Sequence, residues 1–186
     1  MAKNNSARLS LSVAFCGIVS AFAVVMMFGS LIPSFAYAVP AFAGILIYFV
    51  GEQLGRKWAY LSYLTVALLS FILIPELEAD FFFLSFFGYY PTLRTALSRI
   101  KNRVLRYIVK LLIFNAAVVL TYQVLCALLS VDQMLEGLED FGVYAVYILW
   151  GSGNLAFVLY DFFLDTVARI YRNFLKPKLD RLTRGR

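Results

Sequence analysis

Few side chains in this sequence are able to do acid–base work. The chain has 186 residues and no histidine, which removes the commonest neutral-pH base and the commonest nitrogen ligand for metals. A Ser-His-Asp relay, a His-bound zinc and a His-bound haem are therefore excluded. Cys16 and Cys126 lie in separate apolar runs without ligand spacing to each other, and read as two small buried hydrophobes. Paired carboxylates remain. Asp161 and Asp165 stand four apart, one above the other on a helix, a spacing that suits acid–base or magnesium chemistry. Arg169, four residues further on, turns the set into a charge ladder, and the ladder is the reading adopted. Glu52 and Arg56 repeat the i,i+4 arrangement at an earlier polar junction and are expected to pair along one helix. No catalytic residue, metal site or cofactor is expected, so the chain is not read as an enzyme.

Binding chemistry is better represented. Tyr144, Tyr147, Trp150, Gly151, Ser152, Gly153 and Asn154 fall within one apolar run. The aromatics carry hydrogen-bond donors, the glycines permit close contact or local unwinding, and an amide in apolar surroundings needs an internal partner. Such a set suits an aromatic or heterocyclic ligand; it equally suits an interfacial aromatic belt beside a small-residue packing face. Asn115, Tyr122 and Gln123 form a second polar group in the preceding run, with Asn115 and Tyr122 seven apart and so on one face of a helix. Tyr144, Tyr147, Trp150, Asn154, Asn115, Tyr122 and Gln123 are the expected substrate-binding set. Tyr60, Tyr63, Thr65, Tyr89, Tyr90 and Thr92 read as helix anchors.

The elements that must position them are membrane helices. The composition is 62% hydrophobic and 15% charged, which leaves too little polar surface to cover a water-soluble domain. The apolar runs define six spans, residues 9–32, 35–51, 58–74, 81–100, 105–129 and 141–163, with an amphipathic tail over 164–186. The predicted fold is all-α, a single six-helix transmembrane bundle. The first run is too long for a signal h-region and is read as a helix that stays. Pro91 removes a backbone donor inside the fourth span and is expected to kink it.

Charge sets the orientation. All seventeen Lys and Arg flank the apolar runs at one set of ends, while the loops near 33–36, 75–80 and 130–140 hold Glu76, Glu78, Asp80, Asp132, Glu136, Glu139 and Asp140 and no base. The positive-inside bias places both termini in the cytoplasm of a multi-pass cell-membrane protein. It also explains the +6 net charge without nucleic acid. The acidic loops read as solubilising tracts.

A short chain of six spans, both ends inside, with polar aromatic groups toward the outer half, resembles the substrate-binding S component of energy-coupling factor transporters. The resemblance implies uptake of a vitamin-like or other small solute with a transmembrane coupling subunit and cytoplasmic ATPases. It makes the small pair Gly17 and Ala21, which stands where such proteins carry Ala-x3-Ala, the contact with the coupling subunit, and the loop from Pro33 to Tyr37 a gate. Two other classes compete: a non-catalytic scaffold of a cell-envelope complex, using its basic surface for docking, and a lipid-active enzyme built on Asp161 and Asp165.

Overall fold

In the computed structural model, residues 2–128 and 144–176 are described; the acidic loop near 130–140, the ends of the spans beside it and the last part of the tail lie outside them. The chain divides into two compact units, Met1–Glu136 and Gly137–Arg186. All described regular structure is helical, with no strand among the described residues.

The first unit holds α1 (Ala2–Met27), α2 (Ala38–Leu54), α3 (Arg56–Leu73), α4 (Leu77–Phe82), α5 (Tyr90–Leu97) and α6 (Arg103–Leu128). Their limits follow local chemistry. Two short 3₁₀ turns, Phe28–Leu31 and Pro33–Phe35, connect α1 to α2, with Pro33 opening the second. Gly55 alone separates α2 from α3 at φ 97° and ψ 167°, a conformation that any side chain would resist. Asn102 opens α6: its Oδ1 accepts from the backbone N–H of Val104 at 3.0 Å and of Leu105 at 3.4 Å, an N-cap that satisfies two donors of the first turn.

Gly55 overturns one expectation. Glu52 and Arg56 do not form a ladder on one helix, because the chain reverses between them and leaves Glu52 on α2 and Arg56 on α3.

The core of this unit is built from α1, α2 and α3. Ala23, Val24 and Met27 meet Ala43 and Ile47 and then Ala59, Val66, Ala67 and Ile74, with Phe83 closing the cluster. Alanine at so many contact points lets backbones approach closely, the device by which helices pack in lipid. The opposite faces are apolar and bare: Ile18 is 71% exposed and Ile72 79% exposed. Two helical stretches, Leu9–Leu31 and Arg103–Leu128, are long and apolar enough to cross a membrane, and Ala38–Leu54 is a shorter apolar helix. Of the most apolar window of each long stretch, only 28% and 22% is buried, whereas a core helix of a soluble domain is mostly covered. These features are consistent with a membrane protein.

The second unit contains α7 (Ala145–Ile170), which runs on into a wide π turn over Tyr171–Leu175. Phe157, Asp161, Leu164, Ala168 and Tyr171 recur every three or four residues and so share one face of this helix.

Candidate functional site

The helix predicted to kink at Pro91 is interrupted. α4 stops after Phe82, residues Phe83–Phe87 form one π turn, and α5 begins at Tyr90 with Pro91 in its first turn. Pro91 suits that position, where its missing N–H is not required. The wide turn is closed by Gly88 N–H donating to the Phe83 carbonyl at 2.8 Å, five residues back instead of four, and the widening releases carbonyls from the ordinary ladder. One of them, on Leu84, is taken by the Tyr63 hydroxyl of α3 at 2.6 Å. The Phe87 carbonyl, whose donor four residues on would be the proline nitrogen, points at Gly44 of α2 so closely that a Cβ built there would lie 2.1 Å from the oxygen.

Side chains hold the interruption from three sides. Ser85 of the π turn accepts from Thr121 of α6 at 2.6 Å. Phe86 stacks on Tyr90 with centroids 4.4 Å apart and meets Phe114 of α6 edge-on at 5.2 Å. Tyr63 makes edge contact with Tyr89 at 6.0 Å. Tyr63, Tyr89 and Tyr90, read from the sequence as anchors, thus stabilise the break itself. Replacing Tyr63 with Phe leaves the Leu84 carbonyl without this donor. The expected cost is about 1–3 kcal/mol, measurable as a lower unfolding midpoint and as faster amide exchange around Gly88.

Above the break, at the acidic end, Tyr37 donates its hydroxyl to Glu78 and sets its ring edge-on to Phe82 at 5.3 Å. This ties the turn before α2 to α4. Asp80, two residues on from Glu78, is 1% exposed, unlike the solubilising side chain the loop composition predicts. Neither of its oxygens has a hydrogen-bond partner. Ser70 of α3 is close enough to influence it, but directs its own hydroxyl to the Ala67 carbonyl at 3.2 Å. Below the break, at the basic end, a cleft of about 250 Å³ is lined by Tyr48, Gly51, Glu52, Gly55, Arg56, Thr92 and Thr95. The Thr92 hydroxyl is buried beside it without a hydrogen-bond partner.

No protein-family model, curated protein or solved structure matches this chain.

Of the residues expected to bind substrate, Asn115, Tyr122 and Gln123 belong to α6 of the first unit, and Tyr144, Tyr147, Trp150 and Asn154 to the second unit. Tyr144, at the N-cap of α7, and Tyr147 and Trp150, on its first turns, are 73%, 69% and 58% exposed. Asn154 is half-buried and its amide donates to the Trp150 carbonyl at 2.9 Å, within its own helix. Asn115 does the same on α6, donating to Leu111 at 2.9 Å. Tyr122 and Gln123 are exposed, and the Tyr122 hydroxyl interacts with Cys126 one turn on. Gly17 and Ala21 lie on an exposed face of α1, with nothing within 4 Å of where a Gly17 Cβ would stand. Arg169 donates to the backbone carbonyl of Asp165 at 3.3 Å. Lys110, buried on α6, places its ammonium 5.2 Å from the Tyr107 ring centre. No group of three or more His, Cys, Asp or Glu comes together among the described residues.

The sequence reading missed Gly44, Ser85, Thr121 and the burial of Asp80. A signal existed for Asp80: it follows Ala79 and precedes Phe83 by three, so a helix over these residues puts the carboxyl beside a core phenylalanine.

Proposed function

We propose that this chain is a six-span protein of the cell membrane, with both ends in the cytoplasm, that binds a small vitamin-like or aromatic solute for uptake and works with an energy-coupling module. The observation that carries the reading is the interrupted helix between Leu77 and Leu97, held inside the first unit by Tyr63, Thr121 and Gly44. In lipid, irregular backbone persists only where protein covers it or where it lines a path, and broken helices are the usual seat of substrate sites in transporters. Charge segregation supports the orientation, since the acidic end of the unit faces outward when the bases lie inside. The polar cleft at the basic end then opens toward the cytoplasm, where a solute would leave. The exposed small-residue face at Gly17 and Ala21 suits a coupling subunit.

A scaffold role in a cell-envelope complex is the second reading, favoured by the Phe86, Tyr90 and Phe114 packing at the break, which places aromatic rings where a solute cavity would be. Native mass spectrometry of the full chain, purified gently from its own cells, separates the two. A stoichiometric small-molecule adduct, or a complex with a membrane subunit and two ATPases, is the expected result. A bare chain, or one bound only to envelope-assembly proteins, moves the assignment to the scaffold.

A further inference from the structure

Asp80 takes no part in bridging the helix break, yet its side chain sits on the core side of α4. An ionised carboxylate in that position is costly unless a cation or hydrogen bonds compensate it. Both oxygens lack hydrogen-bond partners. The sequence places no Lys or Arg over residues 9–55 or 58–93, so α2, α4, α1 beyond Arg8 and α3 past its first turn bring no cation of their own. α6 carries Lys110, but eleven residues before Thr121, the residue level with Ser85; that is about 16 Å along the helix, and Asp80 lies on the far side of Ser85. The titratable groups that the surrounding elements carry toward this end are Glu76 and Glu78 beside Asp80, Tyr37 before α2, Tyr63 on α3, and Tyr122 and Cys126 on α6. None of them is a cation.

The group that neutralises the carboxyl must therefore come from outside this set. A metal ion needs several oxygen or nitrogen ligands, and no such cluster forms among the described residues. A proton needs no ligand sphere and no cavity. We propose that Asp80 is a proton-binding site at the acidic end of the chain, occupied while α4 is packed against α2, α3 and α6 and emptied when that packing opens. The site is independent of which solute the protein carries, and of whether it carries one.

The electrostatics agree with the geometry. Burial pushes the Asp80 carboxyl from 3.8 up to about 6, the Ser70 hydroxyl pulls it down, and the nearby charge of Glu76 pushes it further up. A group titrating there changes state between a neutral and a mildly acidic exterior. Charging it draws α4 toward water, and the π turn directly below, with its widened ladder, is the joint about which α4 would move.

The test uses the full chain in lipid vesicles, with aspartate carboxyls carbon-13 labelled, followed by pH-difference infrared spectroscopy and amide hydrogen exchange. The expected result is a protonated-carboxyl band that is lost on raising the pH, with a midpoint of about 6, and is missing in Asp80→Asn. Exchange over residues 77–88 rises across the same interval in the wild type and stays flat in D80N. Glu76→Gln, which removes a charge favouring the proton, moves the midpoint down. Absence of the band at about pH 5, or its persistence in D80N, overturns the assignment. Should D80N fail to accumulate, an unmoved midpoint in E76Q overturns it instead.

Discussion

Alanine in place of Gly44 is expected to destabilise the first unit by about 3 kcal/mol or more, the upper end of what overpacking costs. The new Cβ would stand 2.1 Å from the Phe87 carbonyl oxygen and 2.9 Å from its carbon. Both are backbone atoms, so no side-chain rotation relieves the clash. Either α2 withdraws, opening the contacts of Ala43 and Ile47 with the core, or the π turn shifts and breaks the bonds from Tyr63 and Thr121. The same substitution at Gly17 meets nothing within 4 Å and is expected to raise stability slightly, by about 0.5–1 kcal/mol, since alanine is the better helix former. Unfolding midpoints of the two variants in one detergent make the comparison. A Gly44→Ala midpoint equal to that of the wild type would show that the interrupted helix is not held against α2.

That contrast also marks how far the sequence could be read. The end of the first helix was legible where a residue acts on its own backbone, at Pro33 before α2, whereas the break at Gly55 and the cap at Asn102 were not read from the sequence. Pro91 was legible as a fault in its helix, but not the form of the fault, because a π turn is decided by which distant groups accept the released carbonyls. Gly44 and Gly17 look alike in apolar runs, and only the partner surface separates a glycine that is required from one that is not. The same-helix ladder of Glu52 and Arg56 failed for a similar reason, since spacing of four means adjacency on one helix only while the helix continues, and Gly55 ends it. The binding set of Tyr144, Tyr147, Trp150, Asn154, Asn115, Tyr122 and Gln123 rests on residue type in hydrophobic runs. Residue type says what a side chain is able to bind, whereas the face it occupies depends on packing that periodicity alone does not define. Asp80 was hidden by its neighbours: Glu76 and Glu78 make the tract look solvated, yet Glu78 turns toward Tyr37 while Asp80 turns into the core.

The stability of the protein should fall as pH rises through the interval in which Asp80 loses its proton, and Asp80→Asn should abolish that fall. The sign is set by proton binding in the two states. Unfolded, the carboxyl titrates near 3.8; folded, burial raises it to about 6. Between those values the native state holds more protons than the unfolded one, so each step upward in pH favours unfolding. Below about pH 4 the two states are protonated alike and the penalty vanishes; above about 6 it is complete. A displacement of about two pH units corresponds to about 3 kcal/mol as an upper limit. Asparagine has the same shape and no charge, so D80N and wild type should unfold together near the acid limit. At neutral pH the variant should be the more stable, by up to that limit. An Asp that supports a fold through an ion pair would give the opposite result, since removing one partner strands the other and the neutral variant is then the less stable. Denaturation midpoints of both proteins across the interval decide between the two. Parallel curves would mean that Asp80 keeps the same affinity for its proton in both states, and that its burial does not weigh on the fold.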